Sequence, residues 1–258
     1  MRFTIKEKTS LLLGLFVAAL IMSNVLGAKI TEFSMPTFLA TILNTIFFPI
    51  IYPLKIFLQS IGGREISLAF FNTIRVSVGI LTVPIMFLIT DIIEEVHGRL
   101  KVMEFIITGV IALSLLLLIT FIAVSLPAAA RSIDNDAYSS IFGVTIRMTI
   151  ASITAFALAQ LHDMWSFEFW KRKTKGKYLW LRNNLSTISS QLIDSTIFMF
   201  VAFYKTAPMW DAVFVISLII PYWIFKILFA VLDTPLAYLG VWWMRGKEKP
   251  SPVSINKR

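Results

Sequence analysis

Apolar residues run for about twenty positions at a time along this chain, and short basic stretches separate the runs. A helix of about 20 residues crosses a ~30 Å hydrocarbon core. Six runs meet that length: Ser10–Ala28, Val76–Val96, Val102–Leu126, Met148–Trp165, Leu185–Tyr204 and Ala212–Met244. The last is overlong and holds Pro221 and Pro235, which predicts a kink or break within it. A seventh run, Pro36–Ile61, carries Asn44, Pro49, Pro53 and Lys55 and reads less clearly as a span. The expectation is an all-α integral membrane protein, one polytopic domain over 1–258.

Composition supports that class. Hydrophobic residues make up 57% of the 258 and charged ones only 15%. A soluble fold of this size could not hide so much apolar surface. There is no cysteine, which excludes disulfides and thiolate metal sites. The first run ends in Asn24 and Lys29 without a small-residue cleavage site and reads as a retained span.

The net charge of +9 fits a membrane better than nucleic acid, because Lys and Arg gather on the cytoplasmic side. With six crossings and the first residues inside, that side collects Arg2, Lys6, Lys8, Arg99 and Lys101. It also collects Lys171, Arg172, Lys173, Lys175, Lys177 and Arg182, then Arg245, Lys247, Lys249, Lys257 and Arg258. These are most of the 24 basic residues. A single crossing by 36–61 would break the pattern, so that segment is expected to be interfacial or re-entrant. The inner cell membrane, with both ends of the chain cytoplasmic, is the expected location.

Polar groups inside the runs carry the candidate chemistry. The spans hold Asn24 and Lys29, Asp91, Glu94 and Glu95, Gln160 and Asp163, Gln191 and Asp194, and Lys226 and Asp233. An ionisable group at membrane depth costs ~2.5–3.5 kcal/mol on insertion scales and usually faces the bundle interior. Lys226 and Asp233 share a face but stand ~10 Å apart along the axis, so each needs a partner on another helix. Ala151, Ala155 and Ala159 form a small-residue seam that permits close helix approach.

One motif repeats: Gln160-Leu161-His162-Asp163 and Gln191-Leu192-Ile193-Asp194. The orientation above puts both in one cytoplasm-side layer of neighbouring antiparallel helices. Two carboxylates and two amides suit a flat, neutral or cationic ligand rich in N–H and C=O groups. The alternative is that these groups glue helices together, at ~0.6 kcal/mol per contact.

An enzymatic reading is weaker. Glu94–Arg99, "EEVHGR", resembles the first motif of intramembrane CAAX-type proteases. Those also need a Phe-x-x-x-His motif, and no Phe stands four residues before His97 or His162.

Five stretches together resemble the queuosine precursor transporter family, also called the vitamin uptake transporter family. They are Ser23–Lys29 "SNVLGAK", Phe87–Gly98 "FLITDIIEEVHG", Ala155–Asp163 "AFALAQLHD", Trp180–Phe200 "WLRNNLSTISSQLIDSTIFMF" and Phe225–Gly240 "FKILFAVLDTPLAYLG". The likeness covers most of Ser10 to Gly240. Two features depart from it: the 36–61 run is longer, and Glu94 and His97 replace a Thr and a Tyr. The resemblance implies a six-helix importer of a 7-deazaguanine for tRNA modification: 7-cyano-7-deazaguanine, its aminomethyl form, or queuine. Such a protein is not an enzyme and needs no cofactor.

The expected substrate contacts are Gln191, Asp194, Gln160 and Asp163, followed by Asn24, Asp91, Glu95 and Lys226. A carboxylate would accept from the N1–H and exocyclic amine of the ligand, and an amide or Lys226 would serve its O6. Expected partners are that small molecule and membrane lipid, with a homodimer left open and no nucleic acid. The rival reading is a binding subunit of an ATP-driven vitamin importer. Such subunits dock through a small-residue seam on the first span, for which only Ala19-x-x-x-Ser23-x-x-x-Gly27 is present.

Overall fold

The computed structural model describes residues 3–62, 71–175, 179–206, 210–232 and 234–245. Eight helices appear among them. They are α1 Ile5–Leu26, α2 Thr37–Gly62, α3 Val83–His97, α4 Arg99–Ser125, α5 Asn135–Lys173, α6 Leu179–Phe203, α7 Ala212–Leu232 and α8 Thr234–Arg245. Four stretches are long and apolar enough to cross a membrane by length and composition: Ile5–Leu26, Thr37–Phe57, Leu100–Ser125 and Asn135–Ala159. Shorter apolar stretches run over Ile188–Phe203 and Ala212–Ile227.

The helices begin where local chemistry lets them. Thr4 and Glu7 form a reciprocal capping box on α1, each satisfying a backbone N–H of the first turn. Asp134 accepts from the Ala137 N–H at the head of α5. Gly98, at φ 82°, makes the sharp turn from α3 to α4, in a backbone region that glycine enters without a Cβ penalty.

Two expectations change. The predicted span 76–96 does not start as an α-helix. Residues Thr73–Ser77 form a strand, β2, and Val78–Thr82 a 3-10 turn before α3 begins. β-Branched Thr73, Ile74 and Val76 favour the strand, which pairs antiparallel with β1 (Ile30–Ser34), Ser34 lying opposite Thr73. The predicted 36–61 segment is one continuous helix through Pro49 and Pro53, not a hairpin within itself. In the predicted span 212–244 the described residues are helical on both sides of Asp233, as α7 and α8, with Pro235 the second residue of α8, and Asp233 itself lies outside the described residues. Pro221 lies inside α7 without ending it.

The β1–β2 pair closes the chain around α2. The Met35 N–H donates to the Asn72 carbonyl, and Asn44 of α2 accepts from the Phe71 N–H. The segment between 35 and 72 therefore leaves and returns to one place.

Two apolar cores follow. Leu12 and Phe16 of α1, Ile89 and Ile93 of α3, Phe105 of α4 and Met244 of α8 form one. Met148 and Ala151 of α5, Met199 and Ala202 of α6, and Val215 and Tyr222 of α7 form the other, together with Val76 and Ile80. Met86 packs against both. Between the two groups the backbones of α1 and the 3-10 turn touch. Ser77 Oγ donates to the Gly27 carbonyl at 2.8 Å, and Ser23 Oγ to the Gly79 carbonyl at 3.1 Å. A Cβ on Gly79 would stand 2.2 Å from the Ser23 carbonyl oxygen.

At one end of the molecule, α1, α3 and α8 are laced together. Lys8 Nζ donates to the Trp243 carbonyl at 2.5 Å, Thr9 Oγ1 lies 2.9 Å from His97 Nε2, and Arg245 Nη2 donates to the Glu95 carbonyl at 2.9 Å. Elsewhere Arg147 of α5 donates to the carbonyls of Val201 and Tyr204. A cation there serves the unsatisfied C-terminal carbonyls of α6.

Gly79→Ala is expected to lower thermal stability in detergent by several degrees. Overpacking against a fixed backbone atom costs about 1–3 kcal/mol. Gly14→Ala, whose Cβ would meet nothing within 4 Å, should leave the melting temperature unchanged or raise it.

Candidate functional site

The two repeated motifs lie at about the same level because α5 and α6 run antiparallel. Ser166 Oγ of α5 lies 3.4 Å from Ser189 Oγ of α6, while Arg147 reaches Val201 and Tyr204 at the opposite ends. Counting back from Ser166, residues 160–163 stand level with about 192–195. The Ala151, Ala155 and Ala159 seam is buried at 0%, 1% and 8% exposure, which lets the two helices approach closely.

Three buried side-chain atoms among the described residues lack a hydrogen-bond partner: His162 Nδ1, Gln191 Oε1 and Ser195 Oγ. All lie in or next to the two motifs. Leaving a buried polar atom unsatisfied costs about 1–3 kcal/mol. Buried atoms of that kind, gathered in one layer, are groups in wait of a ligand or water.

Beside them is an ion pair. Lys226 Nζ of α7 donates to Asp194 Oδ2 of α6 at 2.6 Å. Asp194 is the partner on another helix that the position of Lys226 demands. The lysine is 8% exposed, and its ammonium also sits 5.1 Å from the Tyr222 ring centroid. One turn along both helices is an aromatic rung. Phe198 and Tyr222 lie with planes 11° apart and centroids 6.2 Å apart. Asp194 with Lys226 and Phe198 with Tyr222 are thus two successive rungs of an antiparallel helix pair. A charged rung and an aromatic rung follow one another along the α6–α7 contact.

The other predicted residues are placed differently. Asn24 of α1 is buried, its Nδ2 donating to the Leu20 carbonyl at 2.9 Å and its Oδ1 accepting from Ser152 Oγ at 2.8 Å. That is a tie between α1 and α5. Glu95 accepts from Arg245 at 3.2 Å in the laced end, and Asp91 lies on an exposed face of α3. The side chains of Gln160 and Asp163 lie outside the described residues, as does Asp233. Sequence reasoning passed over Ser195, Tyr222 and His162. Ser195 directly follows Asp194, and Tyr222 precedes Lys226 by one turn, so helical spacing from the charged pair was the available signal.

The sequence profile of a family described as "Putative vitamin uptake transporter" matches residues 77–240, well over half of the chain. The chain belongs to this family. The matched region runs from the end of β2 into α8 and contains both motifs, the ion pair and the aromatic rung. It leaves out α1 and α2, and with them Asn24. The chain is also similar to a protein of Bacillus subtilis (strain 168) named "Probable queuosine precursor transporter", with 30% identity over 158 residues. That alignment covers 59% of this chain and 66% of the relative, so the chain spans just under two thirds of the relative's length. No solved structure matches the chain.

Asp194→Ala leaves a buried ammonium unpaired and is expected to cost about 3–5 kcal/mol. The double variant Asp194→Ala/Lys226→Met should recover much of that loss. Thermal melts of the two variants and of Lys226→Met complete the cycle, and additive effects would show that the pair is not coupled.

Proposed function

We infer that this membrane protein imports a queuosine precursor, a 7-deazaguanine destined for tRNA modification, through a pocket walled by α5, α6 and α7. The observation that carries this reading is the single layer of unsatisfied atoms, His162 Nδ1, Gln191 Oε1 and Ser195 Oγ, beside Asp194 and Lys226. A guanine-like edge offers an N1–H and an exocyclic amine to the Asp194 carboxylate. Gln191 supplies a further acceptor and the Phe198–Tyr222 rung lies against the ring, while Gln160 and Asp163 remain candidates by their place in the repeated motif. The name of the Bacillus relative is in accord with this substrate class.

The topology we infer has six crossings: α1, the 3-10 turn with α3, α4, α5, α6, and α7 with α8. The laced ends of α1, α3 and α8 meet on one side, where Lys8 and Arg245 favour the cytoplasm. The tie between 35 and 72 supports a reading in which the α2 segment makes no net crossing. α5, with 39 residues, is about 58 Å long and projects well past a ~30 Å core.

Movement of the two helix groups against each other, about the contact of Ser23 and Gly27 with Gly79, gives alternating access. The same contact argues against a docked ATP-driven importer. Ala19 is 2% exposed, and Ser23 and Gly27 of that seam pack on the chain's own 3-10 turn.

The test is uptake of labelled precursor by cells unable to make it. Each charge-assisted hydrogen bond is worth ~1.5–3 kcal/mol. Gln191→Ala and Asp194→Asn should therefore each slow import by about tenfold or more at equal protein level. Normal import by both variants would falsify the site assignment.

A further inference from the structure

Lys226 occupies the carboxylate that the substrate needs. Its ammonium is 2.6 Å from Asp194 Oδ2. A flat ligand edge that offers two parallel N–H donors uses both carboxylate oxygens in one plane. An ammonium resting on one of them stands in the way of that arrangement. We propose that Lys226 is a built-in stand-in for the substrate: it fills the donor position at Asp194 in the empty carrier and is exchanged for the ligand during import. This rests on the reading of Asp194 as the substrate acceptor.

The surroundings give the displaced ammonium somewhere to go. A lysine ammonium has three rotatable donors on a flexible stem. The Tyr222 ring is 5.1 Å from Nζ and attracts a cation by its face. Gln191 lies one helical turn before Asp194, and Ser195 directly follows it. Their buried Oε1 and Oγ have no partner among the described residues. Gln191 and Ser195 therefore offer acceptors, and Tyr222 a ring face, to the ammonium when the pair opens. With the pair closed, Asp194 is neutralised in the apolar bundle, so most empty carriers hold no bare carboxylate.

The stand-in lowers apparent affinity by the fraction of carriers in which Asp194 is free. Two substitutions then act in opposite directions. Lys226→Met removes the competitor and should tighten binding about tenfold. Lys226→Arg holds the carboxylate more firmly, through a planar fork of donors, and should weaken binding several-fold while keeping the charge balance.

The experiment is titration calorimetry of the purified full chain in detergent with 7-cyano-7-deazaguanine, using wild type and both variants. Tighter binding by Lys226→Met together with weaker binding by Lys226→Arg is the expected result. Weaker binding by Lys226→Met identifies Lys226 as a direct donor to the ligand and overturns the proposal, as does unchanged affinity in both. If Lys226→Met does not fold, unchanged affinity in Lys226→Arg alone overturns it. Wild type that binds neither this compound nor queuine defeats the substrate reading itself, a result distinct from variants that fail to shift.

Discussion

A lysine ammonium inside a bundle of apolar helices must meet an acceptor, and much of the arrangement around the candidate site follows from that demand. Lys226 finds Asp194 across the α6–α7 contact. The pair sets the register of the two helices, and the register brings Phe198 against Tyr222 one turn away. α5 is held to α6 in turn by the serine contact and by Arg147 over the α6 carbonyls. One buried charge thus constrains three helices. The polar atoms of His162, Gln191 and Ser195 remain in the layer so formed, desolvated and unmatched. An interior that keeps such groups gives up stability there, as chains commonly do at functional sites.

The second constraint is close backbone approach. α1 and the 3-10 turn touch through Ser23, Gly27, Ser77 and Gly79, with side-chain hydroxyls on carbonyls and no room for a Cβ at Gly79. Lipid tails supply no hydrophobic drive between helices, so small residues and short hydrogen bonds hold such a contact together. It lies between two separate apolar cores, the α1, α3, α4 and α8 group and the α5, α6 and α7 group. Asn24, first considered for its polarity, belongs to this joint through Ser152. Its amide ties the groups to each other.

Much of this was legible in the chain. Apolar runs and basic stretches determined the membrane class and most of the helices. Hydrophobic length and backbone rigidity act locally, and local terms can be read without a fold. Spacing alone also required that Lys226 find its partner off its own helix. What the sequence could not decide was which helix supplied it, because Asp163, Asp91 and Asp194 are equally acidic on paper. Only the packing of α6 on α7 chose Asp194, left Asp91 on an exposed face and sent Glu95 to Arg245. The β1–β2 pair was likewise beyond reach, since its strands are separated by α2 and are joined only by contacts distant in sequence. Burial without a partner, the property that marks Gln191, Ser195 and His162, belongs to no residue alone. It exists only once neighbouring helices exclude water and offer nothing in its place.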